Sequence, residues 1–264
     1  TLRKAGSGDL VLTQDSTLSG VTLDMDFAVP AAETLRLSSG LTVTAGNALR
    51  LQGGASSANV LILGDMTLDG PGSLIFEGTT DNNDVRPLFG GIDLVLGPNL
   101  IVGAGSTRGG FIRNFATVDN QTTIEVLNPG TALTLAATVF TNSNTVRTGP
   151  NGGNLSLSGL LNNGLVETNT GTTTTLLGNW SNPTGTLQVN GGTLNLDGNF
   201  SGLGTFNRPG GAGTVNLTGT FTNTGNVFTF DDTTGVFNFD TGQITGGTLR
   251  KAGSGDLVLT QDST

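Results

Sequence analysis

Between Leu155 and Leu259 the chain repeats one short pattern about every 20 residues: an apolar, polar, apolar run, then a glycine, then a bulky side chain. TLNLDGNFSGLG at 193–204 aligns with TVNLTGTFTNTG at 214–225 at an offset of 21. LLGNW at 176–180 precedes LDGNF by 20 residues and follows LSGLL at 157–161 by 19. Phe237 and Phe239 follow Val215 and Leu217 at 22, and Leu257 and Leu259 come 20 later. Alternation with period 2 is the pattern of a half-buried strand, and the glycine ends it in a turn. A unit this short buries only one face, so it is stable only when neighbouring units seal it, as in a solenoid. The expected fold is therefore all-β, a parallel β-helix (β-solenoid) of about 20 residues per coil.

Stacking places like on like. Leu161, Trp180, Phe200 and Phe221 form one expected internal column, with Ile244 continuing it. Leu157, Leu177, Leu196, Leu217, Phe239 and Leu259 form a second, and Asn195, Asn216 and Asn238 fall in register as an amide ladder on the outer face. Adjacent strands lie ~4.8 Å apart, so about twelve coils would make a rod of roughly 60 Å.

A second, longer repeat overlies the first. Residues 1–17, TLRKAGSGDLVLTQDST, recur unchanged at 248–264. Residues 1–247 thus read as one full tandem unit and 248–264 as the start of the next copy, with Thr248, Arg250 and Lys251 at the seam. The short period runs from Phe237 through the seam to Leu257 with no polar or Pro-rich linker. Beads on a string would need such a linker, so the expected partner of each unit is a further copy of itself in a continuous rod. Arg3, Lys4, Arg250 and Lys251 concentrate positive charge at each seam and could pair with acidic loops of a neighbouring rod, setting lateral register.

The first half is less regular. Strand-like runs occur at 35–37, 41–43, 49–51, 60–63, 74–76, 94–96, 124–127 and 133–135. Polar stretches at 78–87, 103–110 and 141–153 are expected to leave the stack as surface loops, and AVPAAETL around 28–35 is the one helix-tolerant segment.

Composition narrows the chemistry. The chain has no His and no Cys, which removes the commonest acid–base group near neutral pH and all thiolate metal sites. A net charge of −9 argues against nucleic acid, which needs a basic footprint. No window reaches the ~20 apolar residues of a membrane helix, so membrane insertion by this segment is not expected. Asp81 and Asp84, with Asn82 and Asn83, offer oxygen ligands to a hard cation such as Ca²⁺, but without the Asp-x-Asp-x-Asp-Gly spacing a solvated loop tip is the plainer reading. Asp24 and Asp26, two apart on one expected strand, are the only carboxylate pair a polysaccharide-cleaving β-helix could use, and no basic residue adjoins them. No catalytic residue or cofactor is assigned, and the chain is expected not to be an enzyme.

KAGSGDLVLT at 4–13, and again at 251–260, followed by LSGVT at 18–22, resembles the autotransporter-associated β-strand repeat, with Lys4, Gly6, Gly8, Leu10, Leu12, Gly20 and Thr22 in the motif positions. The remainder more loosely resembles the Gly/Asn/Thr-rich passenger regions of haemagglutinin-like bacterial surface adhesins. The resemblance implies a right-handed β-helix exported to the cell surface. The expected role is structural: an extracellular fibre, giant-adhesin stalk or biofilm-matrix filament. An alternative makes 78–87 and 141–153 an adhesive surface for a glycan or receptor.

Overall fold

The computed structural model describes residues 1–3 and 10–260. Lys4, Gly6 and Gly8 of the motif lie outside the described residues. The chain is a parallel β-solenoid of about 11 turns with ~22 residues per turn, and among the described residues its one helical element is the 3-10 turn Pro209–Gly211. No helix among the described residues is long and apolar enough to cross a membrane. The turns are slightly longer and one fewer than the sequence period suggests, because turns in the first half carry extra corner residues, as at 54–57 and 88–92.

Each turn has three strand positions, called sides one, two and three. In the turn that starts at Thr193 they are Thr193–Leu196, Asn199–Phe200 and Thr205–Asn207. Sides one and two are often a single bent strand, as in Thr34–Val43 and Asn154–Asn162. The glycine of the repeat makes that bend. Gly198 has φ +66, and a Cβ there would overlap the carbonyl of Gly178 in the turn before, so the corner needs both a left-handed backbone and a close approach.

Inward positions align turn on turn. On side one a register runs from Leu35 through Val60, Val85, Ile112, Leu135, Leu157, Leu176, Leu196, Leu217 and Phe239 to Leu259. All but the last are buried, and Leu259 stays exposed because no described turn covers it. On side two the column is Phe140, Leu160, Trp180, Phe200, Phe221 and Ile244. Trp180 stacks on Phe200 at 4.2 Å between ring centroids, and Phe200 on Phe221 at 5.0 Å.

Leu161 and Leu177 are corrections. Leu161 is half-buried and pairs with Ser181, while Leu160 points inward; Leu157 pairs with Leu176, not Leu177. Gly159 passes directly to the inward Leu160, whereas Gly178 is followed by Asn179 before Trp180. This one-residue difference at the corner makes Leu160, not Leu161, the counterpart of Trp180, whereas Leu176, like Leu157 and Leu196, lies two residues before the corner glycine and so faces in.

The polar stretches are corrected as well. Asn83–Pro87 and Thr145–Thr148 are strands in the stack, so 78–87 and 141–153 are only partly loops. Phe27–Pro30 and Thr34–Val43 replace the helix-tolerant reading of 28–35. The first half hid these strands because their inward positions include polar residues that pair inside the stack.

The chief such device is a buried asparagine ladder at the corner between sides two and three. Asn120, Asn142, Asn162 and Asn182 are almost fully buried. Each side-chain amide donates to the next: Asn120 to Asn142 at 2.8 Å, Asn142 to Asn162 at 2.7 Å, Asn162 to Asn182 at 2.8 Å. A buried amide is tolerated only when its hydrogen bonds are met, and identical residues one turn apart meet them.

Candidate functional site

The segment 248–260 repeats the opening residues of the chain, and its placement shows how the repeated sequence meets the turn before it. Thr248–Lys251 pairs in parallel with Val227–Phe230 on side three, and Asp256–Leu259 pairs with Val236–Phe239 on side one. The second occurrence of the segment therefore lies as the next turn of the stack. Backbone donors complete the layer: Thr248 N to Asn226 O at 2.9 Å, Ala252 N to Phe230 O at 2.7 Å, and Thr260 N to Phe239 O at 3.1 Å.

Side chains lock the corner between the two strands. Ser254 donates from both N (2.6 Å) and Oγ (2.7 Å) to Asp232 Oδ1. Those bonds, the backbone one first, hold the Asp232 carboxyl below its ordinary 3.8. The Lys251 ammonium donates to Asp256 at 2.5 Å and lowers that carboxyl too. Gly255 is buried against the backbone of Phe230 and Asp231, where a Cβ has no room. Thr248, Arg250 and Lys251 all lie on the strand that pairs across the seam, with Arg250 opposite Thr229.

The first occurrence of the same seventeen residues is placed differently. Leu2–Arg3 pairs with Leu23 and Asp24 on side two, and Leu10–Val11 with Phe27 and Ala28 on side three. The segment's forward edge is used there, and its backward edge at 248–259. Arg3 pairs with Asp24 of its own chain at 2.7 Å, and Arg3 chiefly, with Thr44, lowers that carboxyl. The seam cations Arg3 and Lys251 thus have partners within the rod.

The carboxylates singled out as chemical candidates are also engaged. Asp84 is nearly buried and accepts from Arg113 Nε at 3.1 Å and Nη2 at 2.9 Å, with Arg86 at 3.2 Å. Asp81 accepts from the Gly109 backbone at 2.8 Å. Asp84, the weak cation candidate, faces two guanidiniums, with Arg113 brought beside it from the next turn by parallel pairing, while Asp81 is engaged only by the Gly109 amide. No cluster of three metal-ligating acids occurs among the described residues. Asp24 ends one strand, Ser16–Asp24, and Asp26 lies beyond it at a corner. Asp24 bonds Arg3 and Thr44; Asp26 bonds the Ala48 amide at 2.7 Å and Arg50 at 3.1 Å. They are links between turns and not a carboxylate pair facing one substrate.

Outward residues form further ladders. Arg147 sits in register between Glu125 and Glu167 and pairs with Glu125. Asn238 donates to Asn216 at 3.0 Å and Asn216 to Asn195 at 2.9 Å. Periodic reading found this outer amide ladder but missed the buried one, although Asn120, Asn142, Asn162 and Asn182 recur at 20 to 22 residues and a search for in-register polar residues would have found them. The aromatic residue most open to solvent is Phe89, 66% exposed on the corner after Asn83–Pro87, whereas Trp180 is buried. No family model, curated protein or solved structure matches the chain.

Proposed function

We propose that the chain is a structural repeat of a secreted or surface-attached bacterial fibre or giant adhesin, acting as a stiff rod, spacer or matrix filament. The observation that carries this reading is the seam: the opening of the second copy lies in register on the last turn of the first, with backbone bonds, a serine–aspartate lock and inward Leu257 on Phe237. Such a junction has no hinge, because every layer hydrogen-bonds the next along the full axis. Mechanical stiffness then needs no active site. The charged residues support the same role, since their ladders join turns of one rod. The autotransporter-like motif supports export to the cell surface.

The test is electron microscopy of chains carrying two and four 247-residue units. About 11 turns at ~4.8 Å predict that each added unit lengthens a straight rod by roughly 50 Å. Globules joined by bends at each seam would overturn the reading.

A further inference from the structure

Side three of the rod is interrupted at one layer among the described residues. Its strands pair turn on turn from Leu10–Val11 to Thr205–Asn207, and again from Val227–Phe230 to Thr248–Lys251. Yet Thr205–Asn207 and Val227–Phe230, which follow one another on that side, do not pair. The gap runs on round the corner. Thr193–Leu196 pairs with Thr214–Leu217 along its whole length, whereas Thr214–Leu217 meets Val236–Phe239 only from Asn216 onward. In a solenoid the space between two turns on side three continues along the chain into the space between the next two strands of side one, so these are a single slit. Its lower lip is 205–215 and its upper lip 227–237. Side two stays paired past it, Phe200 with Phe221 and Phe221 with Ile244.

A cavity of about 290 Å³ lies in the slit, lined by Gln188, Asn207 and Pro209 below and by Asp232 and Thr233 above. One side chain crosses from lip to lip. Arg208 follows the inward Phe206 by two residues and takes the inward place that Val189 holds one turn earlier. It is 7% exposed. No carboxylate among the described residues pairs with it, and burial draws its pKa below the ordinary guanidinium range. A buried charge is tolerated when hydrogen bonds meet it, and here the guanidinium fork meets three carbonyls. Nε donates to Ala212 at 2.9 Å and Nη2 to Gly213, both on the lower lip, while Nη1 donates to Val236 on the upper lip. The upper lip closes tightly on it: a Cβ on Gly235 would lie 3.0 Å from Nη1.

We infer that Arg208 is a strap that holds shut a built-in opening of the rod. Elsewhere among the described turns, backbone bonds join each turn to the next on all three sides. At the slit one side chain stands in for the ladder of side three. When it lets go, the lips part on that side while sides one and two stay paired, and the rod bends away from side three at this layer. A ladder is lost bond by bond, whereas a single fork opens in one step. The slit is therefore where denaturant or load first separates two turns.

The test is hydrogen exchange on the full chain carrying Arg208→Met, which keeps much of the side chain's bulk and removes its donors. The Gly211 and Ala212 amides, bonded to the Arg208 and Pro209 carbonyls, report the lower lip, and the Gly235 amide, bonded to Asp231, reports the upper. Their exchange is expected to quicken roughly ten- to hundred-fold, as for the loss of one charge-assisted hydrogen bond, while the Leu165 and Thr193 amides keep their wild-type rates. Arg208→Lys keeps the charge on a single head that cannot bridge both lips, and should open the slit nearly as far.

Unchanged lip amides in Arg208→Met, or full protection in Arg208→Lys, overturn the inference. An equal rise at Leu165 and Thr193 also overturns it, being the mark of a general loss of stability. Should Arg208→Met lose its β-sheet circular dichroism, the wild-type chain decides. As urea rises below the unfolding transition, the Gly235 amide must open ahead of that of Thr193, and equal sensitivity overturns the inference. The slit lies wholly within 205–237, so its opening is independent of how copies join; a bend at the seam of the two-unit chain removes the functional reading and leaves the strap untouched.

Discussion

Replacing Asn162 by alanine removes the middle rung of the buried ladder. Its side chain accepts from Asn142 Nδ2 at 2.7 Å and donates to Asn182 Oδ1 at 2.8 Å and to the Thr186 carbonyl at 3.2 Å. All three bonds vanish together. Asn142 retains a second acceptor, the Leu165 carbonyl at 3.1 Å, so its donor is not stranded. Asn182 Oδ1 has no comparable replacement, and the residue is only 3% exposed. A buried polar atom left without a partner costs about 1–3 kcal/mol, and each lost neutral hydrogen bond contributes about 1 kcal/mol. The stranded Asn182 acceptor together with the two other lost bonds gives an expected destabilisation of about 3–5 kcal/mol. Asn195→Ala, on the half-exposed outer ladder, loses the bond it accepts from Asn216 and the one it donates to Thr175 Oγ1 at 3.3 Å, both where water can substitute, for about 0.5–1 kcal/mol. Urea unfolding of both variants, with hydrogen exchange to localise the loss, tests the contrast. Because a solenoid need not unfold in one step, exchange at 142–186 is the more direct readout. Equal effects of the two substitutions would refute the claim that the corner ladder is a dry, fully satisfied network.

Phe200→Ala should cost about 3–5 kcal/mol, since it opens a cavity between Trp180 and Phe221, and the fluorescence of Trp180, the sole tryptophan, should report it; a loss below about 1 kcal/mol would contradict the stacked column. Calcium should leave the melting temperature unchanged, and so should a chelator, because Asp84 is held by Arg113 and Arg86; a rise with calcium that Asp84→Asn abolishes would reverse that assignment. Acid should loosen the seam turn first. Asp232 and Asp256 are held below their ordinary 3.8, so their bonds contribute fully above that pH and are lost as the pH falls below it; hydrogen exchange at 248–260 should quicken there while 142–200 remains protected. Uniform loss of protection along the rod would count against it.

Much of the rod was legible because its energetics are one-dimensional. Period-2 alternation identifies strands, a recurring glycine identifies the corner, and a spacing near 20 residues identifies the turn. The pairings Phe200 with Phe221 and Leu196 with Leu217 follow from the spacing alone. Where a leucine doublet met a corner of variable length, at Leu160–Leu161 and Leu176–Leu177, alternation could not choose the inward member. The strands at Asn83–Pro87 and Thr145–Thr148 were hidden for a different reason. Their polar residues read as loop, yet Asn83 is fully buried and bonds to the Gly53 amide and the Gly109 carbonyl in the turns on either side. A polar side chain is at home inside only if such partners exist, and those lie about 30 residues away in sequence.

The amino-acid order by itself determined that this chain must stack, what its period is, and that its opening seventeen residues recur at 248–264. It did not determine where those seventeen residues go. The same letters lie on sides two and three at one end and on sides three and one at the other. Alternation sets which face of a strand turns inward, but the side it occupies is set by whichever neighbouring turn offers an unpaired edge. That choice belongs to the tertiary structure, because backbone pairing is available to nearly any strand and only the assembled layers say which edge is open.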